Sequence, residues 1–244
     1  MAEIVGMPYV SVMKAATVPA LLFFCSLLFV VHLQAIKSGI EPRAKSIENK
    51  ISLNRSLREG APFFVPFFVL VALMIMGYSP VKASFYAIVI LVVVYLCVTR
   101  KFSRVFLDKT ARAIANGVRA AIPISAACAA AGIISAVLSM TGLGSKLSAS
   151  IISLSGGVPI IALLLTMLTA IILGMGLPTT AAYLILATVV APALADLGVP
   201  LLTAHMFVFF FGCVSTITPP VALASYVAAG VAGADINRVG WTAF

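Results

Sequence analysis

Carboxylates are scarce in this chain, with seven Asp and Glu among 244 residues against sixteen Lys and Arg. Between Asp108 and Asp235 the only acidic residue is Asp196. No charged side chain falls within residues 147–195, and within 197–234 the one basic or acidic side chain is His205. A domain that meets water on every side needs a polar outer layer, and these stretches cannot supply one. With 62% hydrophobic residues, 9% charged and a mean hydropathy of +1.18, the chain must place apolar surface against lipid. Roughly 20 consecutive apolar residues suffice for one bilayer span.

Other absences narrow the chemistry. There is no His-Glu-x-x-His metal motif, no Gly-x-Ser-x-Gly elbow and no pair of aspartates within the apolar stretches, so no enzyme class finds support. The four cysteines, Cys25, Cys97, Cys128 and Cys213, sit in apolar runs at spacings that match no zinc or haem motif. They read as free thiols packed as small hydrophobes. No cofactor is expected. The amino terminus lacks a basic start followed by a compact apolar core, so no cleavable signal peptide is expected either.

The net charge of +9 points to nucleic acid only until the cations are placed. Lys37, Arg43, Lys45, Lys50, Arg55 and Arg58 form one block, and Arg100, Lys101, Arg104, Lys109, Arg112 and Arg119 form another. Two apolar stretches separate the blocks. Cytoplasmic loops of membrane proteins carry such an excess, and it also attracts anionic lipid headgroups. Nucleic-acid binding would need aromatic interleaving and a soluble fold, and the sequence offers neither.

The expected fold is therefore an all-α polytopic membrane protein. Scaffold-type spans are predicted at 17–36, 62–78 and 81–98, with Pro62 and Pro66 kinking the second. Residues 51–57 read as a short surface helix, and Ser79-Pro80 as a tight turn. The charge pattern runs the first span inward, the second outward and the third inward, which leaves the basic loops cytoplasmic. Over 104–119 Phe106, Leu107, Ala111 and Ile114 share one helical face while Lys109, Arg112 and Arg119 share the other. This predicts an interfacial arm helix within a 101–157 segment. A span over 122–140, rich in small Ala and Ser, and a weaker amphipathic piece over 143–154 complete it.

The last hundred residues carry the strongest signal. Residues 158–173 are apolar, Gly174-Met-Gly-Leu-Pro-Thr-Thr180 breaks the run, and 181–195 are apolar again. At ~1.5 Å per residue each arm reaches only about 24 Å, short of a ~30 Å hydrocarbon core. The 158–198 segment thus reads as a re-entrant hairpin, with two ordinary tilted helices as the alternative. A second break, Ser215-Thr-Ile-Thr-Pro-Pro220, interrupts the 199–244 segment, because consecutive prolines cannot continue a helix. In lipid, backbone groups freed this way are tolerated only inside protein or along a cavity. The expectation is a discontinuous helix.

Paired interruptions of this kind point to a transporter's binding site. The hydroxyls of Thr179, Thr180, Ser215, Thr216 and Thr218, with freed carbonyls, are hard neutral oxygens suited to Na⁺. The expected Na⁺ set is Gly174, Thr179, Ser215 and Thr218. Half-helix starts near Pro178 and near Pro219-Pro220 present N–H groups that favour a carboxylate. Gly174 and Gly176 allow close backbone approach. With no Asp, Glu or Lys beside either break, sodium coupling is favoured over proton coupling. His205 reads as an interfacial or packing residue, and Asp196 as a boundary charge.

Gly174-Met-Gly-Leu-Pro-Thr-Thr-Ala-Ala-Tyr183 and Thr216-Ile-Thr-Pro-Pro-Val-Ala-Leu-Ala-Ser-Tyr226 resemble the large membrane component of tripartite ATP-independent periplasmic (TRAP) transporters. The likeness is strongest to the fused permeases that work with TAXI-type binding proteins. Ala126-Ala-Cys-Ala-Ala-Ala-Gly-Ile-Ile134, Thr141-Gly-Leu-Gly144 and Met1-Ala-Glu-Ile-Val-Gly-Met-Pro-Tyr9 are similar in the same way. The resemblance implies an elevator-type, sodium-driven importer of organic acids in the cell inner membrane. It implies an extracytoplasmic solute-binding protein and a small membrane subunit as partners. Such permeases are built from two inverted repeats, each with one hairpin and one broken helix, and this chain supplies one of each. It is expected to be the C-terminal half, whose N-terminal half lies elsewhere. Two other readings stay open: a channel that works without a binding protein, and a non-transporting scaffold or non-functional fragment.

Overall fold

A computed structural model describes residues 1–39, 53–99 and 104–244. It is helical, with no strand among the described residues, and divides into two compact units, Met1–Thr110 and Ala111–Phe244.

In the first unit, α1 (Ala2–Val5) stops at Gly6, whose φ of 69° ends the helix in the left-handed region. Pro8 then caps α2 (Tyr9–Lys37), which begins eight residues before the predicted start at Thr17. The early start has a local cause: proline just outside a helix pre-sets its φ and donates no N–H that the helix would need. Thr17 does not delay the helix, because its Oγ1 donates back to the Met13 carbonyl at 2.9 Å. Val12 is the only buried residue of this helix. Leu28 and Phe29 are 70% and 69% exposed, as expected of a helix whose apolar surface is met by lipid or another chain.

α3 (Leu53–Ile75) and α4 (Pro80–Thr99) pack together through Met74, Ala83 and Ala87. The separate surface helix expected at 51–57 is not formed. Its first two residues lie outside the described ones, and Leu53 onward is the start of α3, which runs unbroken past both Pro62 and Pro66. The turn at Ser79-Pro80 follows Gly77 (φ 88°), and the Lys82 amide donates to Ser79 Oγ at 3.4 Å.

α5 (Arg104–Met140) is one helix of 37 residues where a separate arm and span were expected. The change from amphipathic to apolar at residue 120 alters which faces are wet, but Ala120-Ala121 gives the backbone no reason to stop. Pro123 lies within the helix. α2, Pro80–Cys97 of α4 and Phe106–Met140 of α5 are long and apolar enough to cross a membrane among the described residues. The chain is an all-α polytopic membrane protein.

The second unit is built around α6 (Leu143–Ser155), α7 (Pro159–Gly174), α8 (Thr179–Val189), α9 (Ala191–Asp196), α10 (Leu201–Val214), α11 (Leu223–Ala232) and α12 (Ile236–Ala243). α7 buries Ala162, Thr166, Ala170 and Gly174, every fourth residue on one face, against α8, α9 and α10. α8 buries seven of its eleven residues. Leu186, Val190, Leu194 and Val208 form the fully buried centre.

The hairpin's second arm is not the single 181–195 helix expected from its apolar run. It breaks at Val190 (φ −113°, ψ −39°) into α8 and α9. Pro192 is the reason: it has no N–H for the Thr188 carbonyl and its ring crowds the preceding turn. Ala193 N–H turns to the Val190 carbonyl at 3.2 Å, which leaves the Val189 carbonyl open. Ser148 of α6 takes that carbonyl at 3.1 Å, and Ser135 of α5 meets Thr188 Oγ1 at 2.8 Å. The bend is thus fastened by hydroxyls from two other helices.

Candidate functional site

The hairpin tip begins where α7 ends at Gly174. Met175 is extended (φ −58°, ψ 132°) and its N–H donates to the Ile171 carbonyl at 3.1 Å. Gly176 then takes φ +79°, a left-handed value that costs glycine nothing and other residues about 1–2 kcal/mol. Leu177 N–H closes the turn on the Gly174 carbonyl at 3.2 Å. Pro178 caps α8 without a side-chain hydrogen bond, so the first α8 amides have no acceptor within the helix.

The second break unwinds α10. A single 3-10 turn, Ser215–Ile217, is followed by extended Thr218 (φ −81°, ψ 123°) and a cis Pro219-Pro220 bond. Ser215 Oγ donates to the Gly212 carbonyl at 2.7 Å, Thr216 Oγ1 to Cys213 at 2.7 Å and Thr218 Oγ1 to Val214 at 3.0 Å. Three successive carbonyls at the end of α10 are therefore satisfied by three hydroxyls. The sequence leads one to expect freed carbonyls here, and these three are occupied. Each hydroxyl gives its proton away and keeps lone pairs that can meet a cation. α11 resumes after Ala222, again with no side-chain cap.

The two breaks touch. A Cβ added at Gly174 would collide with Ser215 Oγ and lie 3.0 Å from Ser215 Cβ. One added at Gly176 would lie 3.0 Å from a Val221 methyl. The same small-residue node continues inward, where a Cβ on Gly212 would come within 3.1 Å of Leu186 and 4.0 Å of Ala182. Small residues are what allow helices to approach this closely in lipid.

Of the sequence-predicted residues, Gly174, Ser215 and Thr218 are buried, and Gly176, Pro178, Thr216 and Pro219 half-buried. Thr179, Thr180 and Pro220 are exposed. Of the predicted Na⁺ set, Gly174 and Ser215 are in contact and Thr218 belongs to the same unwound segment, whereas Thr179 stands at the start of α8. No group of three or more His, Cys, Asp or Glu able to hold a metal is found among the described residues. The oxygens here suit a hard alkali cation.

Sequence reasoning passed over several residues that shape the site. Tyr226 Oη donates to the Pro220 carbonyl at 2.6 Å and ties the break to α11. Ser225 is 2% exposed and its hydroxyl has no partner. Gly240 of α12 packs against Pro219 and Ala222, where an added Cβ would lie 3.7 and 3.8 Å away. An aromatic six residues after a proline and a glycine in a short terminal helix are too common to have signalled these contacts.

A helical hairpin facing a discontinuous helix in a polytopic membrane protein is the architecture of a solute carrier. The match to known families is narrower still. The chain belongs to the family described as "Tripartite ATP-independent periplasmic transporter, DctM component", whose model matches residues 1–244. No curated protein and no solved structure matches the chain. It is accordingly a membrane permease component of a TRAP transporter, a family that works with a periplasmic binding protein and a small membrane subunit.

Proposed function

We propose that the chain carries one hairpin–broken-helix pair of a sodium-coupled importer for organic acids, fed by an extracytoplasmic binding protein of the TAXI type and set in the inner membrane with its basic loops cytoplasmic. One observation supports this most: Gly174 and Gly176 of the hairpin press on Ser215 and Val221 of the unwound segment, so two interruptions distant in sequence make one place. Hydroxyl oxygens of Ser215, Thr216 and Thr218 gather there with no carboxylate beside them. A monovalent cation is neutral enough to be held by such dipoles and leave again, whereas a coupling proton would need a titratable carrier. The uncapped starts of α8 and α11 supply amide N–H groups and the positive end of each helix dipole, which favour a carboxylate. Cation and anion charges then compensate within one low-dielectric site, so each raises the affinity for the other.

Proteoliposomes holding the complete permease with its binding protein test the reading. Uptake of the organic acid should collapse when external sodium is replaced by choline at constant ionic strength. Uptake unchanged by the replacement would overturn sodium coupling. Uptake unchanged by omission of the binding protein would overturn the dependence on delivery and favour a channel.

A further inference from the structure

Away from the breaks, α8 and α10 meet through a buried polar pair. Tyr183 and His205 are 6% and 5% exposed, and Tyr183 Oη lies 2.9 Å from His205 Nδ1. The Tyr183 ring stands edge-on to His205 and to Phe209, with centroids 6.0 and 5.9 Å away. Further along the same contact Ala182 and Leu186 meet Gly212, which is apolar and has no directional preference. Lipid tails are as apolar as such side chains, so apolar contact alone does not fix how two helices are set against each other in a membrane. A buried hydrogen bond does, because misalignment leaves both partners unsatisfied.

Its position gives it leverage. Tyr183 sits one helical turn beyond Thr179, on the same face of the helix that leaves the hairpin tip. His205 is on the helix that runs into Ser215. We infer that Tyr183 and His205 are a positioning pair: their hydrogen bond sets α8 against α10 and thereby spaces the hairpin tip and the unwound segment for ligand binding. Neither residue touches the ligand. The phenol oxygen and Nδ1 share one hydrogen bond, in which either atom is the donor according to the imidazole tautomer. The inference rests on the reading of the two breaks as the cation site, and its test separates the two.

The full chain in lipid nanodiscs is titrated with sodium chloride against choline chloride, and the unfolding temperature is followed. Sodium-dependent stabilisation in the parent, read through linkage, tests the site itself. Tyr183→Phe and His205→Leu should each raise the half-saturating sodium about three- to tenfold. The double variant should do no worse than either single one, as for one shared bond. His205→Asn keeps a hydrogen-bonding atom at the δ position, acceptor or donor, and should retain the parent value. Lower unfolding temperatures with unchanged half-saturating sodium would mean that the pair is merely structural, and would overturn the inference.

A second measurement needs no sodium. In a background with the four native cysteines replaced, Gly176→Cys and Val221→Cys are introduced as a pair. An added Gly176 Cβ lies 3.7 Å from Val221 Cβ, within the range that a disulfide spans. Strain at the left-handed Gly176 is common to every member of the series and cancels. Cross-linking by a mild oxidant should slow several-fold in Tyr183→Phe and in His205→Leu, and match the parent rate in His205→Asn. Equal rates in Tyr183→Phe and parent would overturn the inference even if sodium binding proved absent.

Discussion

At the hairpin tip the backbone turns because side chains are missing, whereas over residues 215–220 it is held open by side chains that are present. Gly174 and Gly176 contribute space and one left-handed φ. Ser215, Thr216 and Thr218 contribute hydroxyls that replace the lost helical donors of α10. The two solutions are complementary, since the vacant side fits only if the occupied side stays in place. The hairpin tip should therefore be sensitive to added volume and indifferent to lost polarity, and the unwound segment the reverse.

The largest expected effect follows from volume. Gly174→Val would drive two methyls into Ser215 and Ala182, both buried. Overpacking of this kind costs roughly 1–3 kcal/mol, and more where neither side can yield. Gly174→Ala should fall within that range, lowering the unfolding temperature by several degrees and abolishing uptake. Ser215→Ala in the Gly174→Ala background removes the colliding oxygen and should recover part of the stability. No recovery would mean that the two breaks are not in contact.

Polarity gives the next effect. Thr218→Ala removes the hydroxyl that donates to the Val214 carbonyl in a part-buried setting, at about 0.6–2 kcal/mol. Thr179→Ala removes an exposed hydroxyl and should stay within ~0.5 kcal/mol. Both should lower uptake if both oxygens serve the ligand, so stability and transport separate at Thr179 and move together at Thr218. Equal losses of stability at the two positions would remove the contrast between the breaks. A third test lies at the α8–α9 bend, where Ser148→Ala frees the Val189 carbonyl. About 0.6 kcal/mol is expected, the mean for one interhelical hydrogen bond in a membrane protein. Chemical denaturation of the purified chain would measure it.

Much of this architecture could be read from the sequence where residue type dictates backbone. Gly176 with Pro178 and the consecutive Pro219-Pro220 interrupt the helical backbone, and α7 and α10 end just before them. Pro192 carried the same message, but a lone proline within fifteen apolar residues reads as a helix start or kink as readily as a break. The continuity of α5 was hidden for the opposite reason. A change of solvent around a helix leaves no mark on backbone propensity, so an arm and a span look like two elements. The Tyr183–His205 contact was not legible at all, and Gly174 and Ser215 were legible as members of one ion set but not as direct packing partners. Each contact depends on how α7, α8 and α10 cross, and crossing angles follow from packing over whole faces. His205 illustrates the gap: an isolated histidine in an apolar run gives no clue to the phenol that it meets.

Tyr226→Phe should have the smallest effect and is the most discriminating for that reason. Its hydroxyl holds the Pro220 carbonyl at 2.6 Å, but the ring is exposed and water or a headgroup can replace the bond. Loss of stability should stay near 0.5 kcal/mol. The carbonyl itself belongs to the segment held open by side chains, and without Tyr226 nothing on α11 fixes its direction. If that direction matters to a bound cation, the half-saturating sodium should rise about two- to threefold at nearly unchanged stability. A rise equal to that of Thr218→Ala would place the Pro220 carbonyl among the ligands. No rise at all would confine the ligand-bearing part of the break to residues 215–218, where hydroxyls rather than backbone turns do the holding.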